Sequence, residues 1–370
     1  MDISKIDKNF VIGGTFDKDG YRFYNIPCEP FDLYGVYYEK ETERFVRMPS
    51  EIADRVNDGV ALLNSNTAGG RLRFSTDSDS LAISVTYAGL CEMAHMPLSG
   101  SSGFTLLREE EDGRFTHVKT FMPDHTGNTK NGFEQAVFIC GKNTAVVYDK
   151  KDEGKMKNYI LFFPLYNDVK SLSVGIAENA KVDHGKKYAP VKPILYYGSS
   201  ITQGGCADRA DNCYQAIISK RNNIDFINLG FSGSGRAEKI MCDYLANLNC
   251  SVFVCDYDHN APDAVYLKET HYPLYETFRA KHPETPIIFI SRPDTEHDFQ
   301  AGKRFEVIKE TYERAKKNGD DNVYLIDGGK FFEKERDACT VDGCHPNTFG
   351  FFKMANVIGE YLQAVLLGGK

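Results

Sequence analysis

The sequence has no tryptophan, no pair of cysteines spaced as CxxC, and no uninterrupted apolar run near the length of a membrane span. Because a spanning helix needs about 20 predominantly apolar residues, no transmembrane segment is expected. The ten cysteines lack the spacing of zinc-finger ligands, and the first residues lack the cationic patch and apolar stretch of a secretion signal. Together these absences predict reduced thiols and a cytoplasmic location.

The sequence also has fewer positively than negatively charged residues. Lys and Arg number 44 against 52 Asp and Glu, which gives a formal net charge of -8, and no basic stripe stands out. An acidic surface does not attract a phosphate backbone or an anionic membrane, so neither nucleic acid nor membrane is expected as a partner. The 370 residues, 42% of them hydrophobic, exceed what one hydrophobic core usually holds, so we expect two domains.

The first half of the chain, residues 10–176, has the pattern of short strands separated by turn residues. Residues 71–88 alternate apolar and polar on both sides of a turn-rich stretch and so predict a β-hairpin with one buried face. Further strands are predicted at 103–109, 144–149, 158–165 and 172–176. Many short strands with few helical periods predict an N-terminal β-sandwich, of jelly-roll type, over residues 1–188, with a polar linker at 181–190.

The periodicity changes in the second half, residues 189–370. Apolar strands are predicted at 193–198, 224–230, 251–257, 286–292 and 322–328. They alternate with predicted helices at 211–221, 236–248, 263–282, 300–317 and 348–367. Strands that are apolar throughout and are spaced by helices are typical of a parallel sheet covered on both faces, so this half is predicted to be a doubly wound α/β domain.

Polar clusters follow these strands, at the edge of the sheet where the loops of such a fold converge. A serine pair, Ser199 and Ser200, follows the first strand. A serine hydroxyl attacks a carbonyl only when a base takes its proton, and Asp342 and His345, three residues apart before the last helix, offer an oriented imidazole. The loops after the second and third strands offer Gly233 and Asn260, whose N–H groups suit an oxyanion hole. The loop after the fourth strand ends at Asp294, to which no role is assigned.

These motifs resemble the four blocks of the SGNH, or GDSL-like, hydrolases and occur in the family's order. In GSSIT, Ser200 matches the nucleophile, and DGCH matches the closing block as Asp342 and His345. In NLGFSG and DYDHNA, Gly233 and Asn260 match the oxyanion residues, which act with the amide of Ser200. The resemblance implies a flavodoxin-like domain with a five-stranded parallel sheet. Two positions depart from the pattern: Ser199 stands where the family has aspartate, and the third block lacks the usual GxND form.

A β-sandwich before an SGNH domain is similar to carbohydrate esterase family 2, on segments such as TAGGRLRFSTDS and MPLSGSSGF. This resemblance implies removal of O-acetyl groups from oligosaccharides such as xylan or mannan, or from small glycosides, without a cofactor. The first domain is then a carbohydrate-binding module, a wall of the cleft, or a surface for homo-oligomer formation. The loop at residues 90–98 either leans over the site or is a packed connection.

Several alternatives stay open at this point. GSSIT also suits a capping turn, DGCHPN suits a plain helix start, and FSGSGR resembles a phosphate-binding loop without its usual ending. Asp256, Asp258 and His259 could join Asp342 and His345 in a metal site, although no short motif such as HExxH is present. A lipid or thioester acyl hydrolase with the same triad, and a carbohydrate-binding protein with a vestigial site, remain rival functions.

Overall fold

The computed structural model describes residues 17–124, 129, 131–139, 154–293 and 299–367. The strand predicted at residues 144–149 and the loop residue Asp294 lie outside the described residues. The chain divides into two compact units. The first is Met1–Val46 with Ser65–Lys187 and Asp208–Asp211, and the second is Arg47–Asn64 with Tyr188–Ala207 and Asn212–Lys370. The boundary between domains at residues 188 and 189 stays a prediction.

The first unit is built from antiparallel strands. They are β1 (Tyr21–Ile26), β2 (Asp32–Tyr34), β3 (Tyr37–Glu39), β4 (Arg44–Val46), β5 (Arg71–Thr76), β6 (Ser80–Tyr87), β7 (Phe104–Glu109), β8 (Phe115–Phe121), β9 (Gly132–Phe138), β10 (Lys157–Phe162), β11 (Val169–Ala177) and β12 (Val182–His184). One large sheet has the order β1-β11-β6-β9, and the other has the order β12-β5-β10-β7-β8 with β2 also paired to β5; β3 and β4 form a separate two-stranded sheet. Leu72 and Phe74 of one sheet share a buried apolar cluster with Leu81 and Ile83 of the other. The predicted β-sandwich is confirmed, and its jelly-roll connections stay a prediction.

Two local predictions for this unit are wrong. The stretch 71–88 does not form a hairpin, because β5 pairs with β10, β12 and β2, whereas β6 pairs with β11 and β9. Alternation shows which face of a strand is buried but not which strand lies beside it, so a crossing between sheets has the same pattern as a hairpin. The predicted linker at 181–190 contains β12, whose residues pair with β5.

The second unit contains, within the described residues, the expected five-stranded parallel sheet. Its strands are β13 (Ile194–Gly198), β14 (Phe226–Gly230), β15 (Val252–Asp256), β16 (Ile287–Ile290) and β17 (Val323–Ile326), in the order β14-β13-β15-β16-β17. The α-helices in the described residues are α1 (Ser50–Val56), α2 (Asp58–Leu63), α3 (Leu98–Ser101), α4 (Ser200–Gln203), α5 (Tyr214–Asn222), α6 (Lys239–Leu245), α7 (Ala264–Lys281), α8 (Phe299–Lys317) and α9 (Thr348–Leu367). None of the helices in the described ranges combines the length and apolar content that crossing a bilayer requires.

Successive residues of β13 show why both faces of this sheet are covered. Leu195 and Tyr197 belong to the buried cluster that α6, α7 and α8 share. Tyr196 points the other way, and its ring packs edge-on against Tyr214 of α5, whose ring in turn stacks on Phe351 of α9. Side chains alternate across a strand, so a strand that is apolar at every position needs helices on both sides. The doubly wound fold predicted for this half is confirmed.

A segment from the first half of the sequence, residues 47–64, belongs to the second unit. It forms α1 and α2, and Met48, Ala53 and Val60 lie in the second unit's buried cluster. The sequence does not indicate these helices, because two short helices give too few turns for a clear apolar period.

A buried carboxyl group at the end of β15 is hydrogen-bonded to α4. Asp256 is 1% exposed, and its Oδ2 accepts hydrogen bonds from Thr202 Oγ1 at 3.0 Å and the Tyr214 hydroxyl at 3.5 Å. Burial raises the pKa of Asp256 well above its ordinary value and the nearby Asp258 raises it further, while the two hydrogen bonds oppose the rise. Burial therefore favours the protonated form of this carboxyl group to a higher pH than in an exposed aspartate.

This raised pKa makes stability depend on pH in a defined direction. In the unfolded chain Asp256 ionises near its ordinary pKa of about 3.9, while the folded protein keeps the proton, so the stability it contributes at low pH is lost as pH rises. The wild-type free energy of unfolding should fall as pH rises above about 4, and that of Asp256→Asn, which cannot ionise, should fall less. Urea unfolding followed by circular dichroism measures both.

Asp243→Asn is the matched control, because that carboxylate is 49% exposed in an i,i+4 pair with Lys239. It should follow the wild-type dependence on pH. An equal dependence of the unfolding free energy on pH in Asp256→Asn and wild type would contradict a raised pKa of Asp256.

Candidate active site

Ser200 lies where β13 passes into α4, at the carboxyl edge of the parallel sheet. It is the first residue of α4 and is 5% exposed. Before it, Ser199 occupies the N-cap position, and its Oγ accepts a hydrogen bond from the Ile201 N–H at 3.2 Å. Serine and aspartate are both favoured N-cap residues, so the substitution at Ser199 preserves a capping side chain.

The strand and the helix come together closely at this turn. A Cβ atom on Gly198 would lie 2.1 Å from Thr202 Oγ1 and 2.4 Å from the carbonyl oxygen of Asp256. The Ser199 N–H donates to that same carbonyl at 3.2 Å. Only glycine leaves room for α4 to start directly over β15, which fixes the position of Ser200.

The structure brings Ser200, His345 and Asp342 together in one hydrogen-bonded relay. Ser200 Oγ lies 2.9 Å from His345 Nε2, and His345 Nδ1 lies 2.7 Å from Asp342 Oδ2. A carboxylate can only accept, so Nδ1 carries the proton and Nε2 is the acceptor for the serine hydroxyl. The imidazole is thus in the tautomer that can remove a proton from Ser200.

Asp342 is held by the backbone of its own loop as well. Its Oδ1 accepts from the N–H of Cys344 at 3.0 Å and from the N–H of His345 at 2.7 Å. Desolvation raises the pKa of Asp342, but the hydrogen bonds from the backbone and imidazole of His345 and from the Cys344 N–H outweigh it and lower the pKa to about 2. The carboxylate stays ionised and can stabilise an imidazolium beside it.

The loop after β14 adjoins the serine loop through backbone hydrogen bonds. The Phe231 N–H donates to the carbonyl of Gly198 at 3.0 Å, and Asn260 Nδ2 donates to the carbonyl of Phe231 at 2.8 Å. Asn260 is 8% exposed and follows β15. The structure therefore links the loops that carry Ser200, Gly233 and Asn260 at one edge of the sheet.

Gly233 has the backbone conformation that its turn requires. Its φ is +66°, in the left-handed region that favours glycine, and the Arg236 guanidinium donates to its carbonyl at 2.8 and 3.1 Å. Within the part of the chain that the structure describes, no group accepts a hydrogen bond from the Gly233 N–H. That amide is available to a bound oxygen atom.

Arg47 and Asn57, in the segment 47–64, contact the end of β14 and the loop after it. Neither was predicted from the sequence as a site residue. Arg47 is 3% exposed, donates to the carbonyls of Gly230 and Leu63, and stacks over the Phe231 ring at 4.3 Å. Asn57 donates to the carbonyl of Ser234 at 3.0 Å. The apolar neighbours of Arg47 in the sequence are typical of a buried segment, but Gly230 lies 183 positions away, and no local pattern indicates that contact.

The metal cluster considered from the sequence does not form as a whole. Among the described residues, Cys344 is close enough to Asp342 and His345 to share a metal ion with them. Asp256 and Asp258 are not part of this group. Asp258 is 1% exposed; burial raises its pKa to about 6, although the Arg292 N–H donates to it at 3.2 Å. His259 Nε2 lies 3.2 Å from Cys344 Sγ.

Two family models match the chain, one in each half. A model of the GDSL-like lipase/acylhydrolase family matches residues 191–363, and a model of the N-terminus of SGNH-hydrolase-type esterases matches residues 21–182. No curated protein matches the chain in sequence.

Solved structures share the fold over nearly the whole chain. A protein of Bacteroides ovatus described as a GDSL-like lipase is 26% identical, with a TM-score of 0.80 over 93% of this chain and 98% of that one. A salicylyl-acyltransferase from a tetracycline biosynthetic pathway is 18% identical, with a TM-score of 0.74 over 95% and 98%. A family two carbohydrate esterase of Cellvibrio japonicus is 12% identical, with a TM-score of 0.58 over 93% and 98%.

The solved structures of lower identity show only that the fold is shared. The two family models show to which family each part of the chain belongs. Residues 191–363 therefore belong to the GDSL-like lipase/acylhydrolase family, the SGNH hydrolases, and residues 21–182 are the N-terminal domain of an SGNH-type esterase.

Proposed function

We propose that the protein is a serine esterase that removes O-acetyl groups from oligosaccharides or other glycosides through an acyl-enzyme. The observation that carries this proposal is the relay in which Ser200 Oγ lies 2.9 Å from His345 Nε2 and His345 Nδ1 lies 2.7 Å from Asp342. A nucleophile, a base and an orienting carboxylate at hydrogen-bonding distance are the parts that acyl transfer through serine needs.

The reaction proceeds in two halves. His345 Nε2 takes the proton of Ser200 as Oγ bonds to the acetyl carbonyl carbon, and the ionised Asp342 stabilises the imidazolium. The tetrahedral intermediate collapses, the bond to the sugar oxygen breaks, and His345 returns its proton to that oxygen. A water molecule then gives its proton to His345, attacks the acetyl-serine, and releases acetate as Ser200 regains its proton.

The negative oxygen of each tetrahedral intermediate needs fixed donors. The Gly233 N–H has no acceptor among the described residues, and the Asn260 amide is anchored by its bond to Phe231. With the Ser200 amide these groups are the proposed oxyanion hole. Because Arg236, Asn57 and Arg47 already hold the loop carbonyls, the donors need little rearrangement during reaction.

Two features favour a carbohydrate ester as substrate. The chain has the two-part fold of the family two carbohydrate esterase of Cellvibrio japonicus over 93% of its length, so the same pairing of domains occurs in an enzyme named for acting on carbohydrate. Its acidic net charge of -8 also suits a neutral glycan better than a phosphorylated or anionic substrate.

Acyl transfer to an alcohol is the second candidate. The salicylyl-acyltransferase has a TM-score of 0.74 over 95% of this chain. The acyl-enzyme is common to both reactions, and they differ only in whether water or a substrate hydroxyl attacks it. Assaying free acetate against acetylated acceptor, in the presence of glycan alcohols, separates the two.

Ser200→Ala should lower the turnover of a chromogenic acetyl ester by about 10⁴-fold or more, because no other hydroxyl occupies the relay. Ser199→Ala is the matched control, because it removes the neighbouring hydroxyl, which caps α4. Loss of the cap should lower the stability by about 1 kcal/mol and the activity by less than about tenfold. Retained turnover in Ser200→Ala, or an equal loss in both variants, would overturn the choice of nucleophile.

The substrate class is tested by acyl length and by glycan products. We expect acetyl esters to be hydrolysed faster than long-chain esters or thioesters, and mass spectrometry of acetylated xylan or mannan oligosaccharides to show losses of one acetyl group at a time. Faster turnover of the long-chain compounds would favour a lipid or thioester hydrolase. Glycan binding without any hydrolysis would favour a vestigial site.

Arg47 should act as a positioning residue for the loop after β14, which carries Gly233. Arg47→Met removes its hydrogen bonds to Gly230 and Leu63, so kcat should fall by about tenfold to a hundredfold with little change in KM, since the loop stabilises the transition state. Arg55→Met is the control, because Arg55 lies exposed on α1 of the same segment. A change in KM alone, or an equal effect in both variants, would contradict this role.

A further inference from the structure

Arg236 has more hydrogen-bond donors than its own loop uses. It follows Gly233 by three residues and is partly exposed, and its Nε and Nη2 donate to the Gly233 carbonyl at 3.1 and 2.8 Å. A guanidinium has five N–H groups and stays charged at any physiological pH. The other N–H groups of Arg236 have no acceptor among the described residues, and no carboxylate there forms an ion pair with it.

These donors lie close to the proposed oxyanion hole. Standard bond lengths place the nitrogen and the carbonyl oxygen of one residue at most about 3.6 Å apart. Because Arg236 Nη2 is 2.8 Å from the Gly233 oxygen, it lies within about 6.5 Å of the Gly233 nitrogen. A sugar with its acetyl group at this amide would therefore have its other oxygen atoms within reach of the guanidinium.

A tyrosine near Arg236 has a similarly unused polar group. Tyr266 lies in the first turn of α7, six residues after Asn260, and is partly exposed. Burial raises the pKa of the Tyr266 phenol, Glu238 raises it further, and the charge of Arg236 opposes the rise, so these groups lie near one another. In the part of the chain that the structure describes, the Tyr266 hydroxyl makes no hydrogen bond. A guanidinium, a phenol hydroxyl and an aromatic ring thus accompany the two oxyanion loops.

We propose that Arg236, together with Tyr266, binds the sugar from which the acetyl group is removed. The guanidinium donates to hydroxyl and ring oxygens of that sugar, which are acceptors without charge, so the contact suits a neutral glycan. Two hydrogen bonds already hold Arg236 in place, so binding costs it little side-chain freedom. This inference rests on the proposed function and makes Arg236 a residue that selects the substrate.

The first experiment compares two substrates, an acetylated xylo-oligosaccharide and a chromogenic acetyl ester that contains no sugar. Arg236→Met should lower kcat/KM for the oligosaccharide at least about tenfold more than for the simple ester, mainly through KM, because hydrogen bonds from a charged donor to the sugar are lost. The loss on the simple ester measures how far Arg236 also holds Gly233. Tyr266→Phe should show a smaller loss that is again confined to the oligosaccharide.

Two matched controls separate sugar binding from loop position and from charge. Asn57→Ser loses the hydrogen bond to the Ser234 carbonyl but keeps a capping hydroxyl for α2, so it should lower activity on both substrates by the same factor. Lys239→Met removes an exposed cation three residues after Arg236 and should behave as wild type. Equal losses on the two substrates in Arg236→Met would show that this side chain only holds the loop and would overturn the inference.

A second readout does not depend on turnover. Ser200→Ala should bind the acetylated oligosaccharide in a calorimetric titration, and adding Arg236→Met should raise Kd at least about tenfold. An unchanged Kd would contradict the sugar contact. If wild type hydrolyses neither ester and glycan binding still depends on Arg236, the proposed function is rejected and the sugar contact is retained.

Discussion

The hydrogen bond between Ser200 Oγ and His345 Nε2 joins two loops that lie 145 positions apart in the sequence, and the rest of the site is arranged around it. Ser200 is fixed because α4 starts against β15 at Gly198, where no Cβ atom fits. His345 is fixed because Asp342 receives both its ring N–H and its backbone N–H. The relay thus follows from the close packing of strand ends rather than from side-chain choice alone.

A buried carboxyl group adjoins this arrangement. Asp256 is buried, has a raised pKa and accepts a hydrogen bond from Thr202, two residues after Ser200. Its backbone carbonyl also receives the N–H of Ser199. A buried group of this kind costs stability at neutral pH, and here it ties the serine loop to the central strand. The site is therefore held by polar contacts that a purely apolar packing would not provide.

Much of the fold and of the site could be predicted from the sequence, because strands and helices of the second unit have clear periods and the blocks around Ser200 and His345 are local. The hairpin at 71–88 was wrong, since periodicity does not encode the partner of a strand. Arg47 was missed because its contacts with Gly230 arise only when the chain folds. The contact of His259 with Cys344 joins two loops and has no signature in either.

The central claim is that Ser200, activated by His345, is the nucleophile of this SGNH hydrolase. Reaction with a fluorophosphonate ester, followed by peptide mapping in a mass spectrometer, tests it most directly, because the reagent bonds only to an activated hydroxyl. We expect a single adduct on Ser200, formed together with loss of esterase activity and absent in His345→Ala. An adduct on Ser199, or loss of activity without any adduct on Ser200, would contradict it.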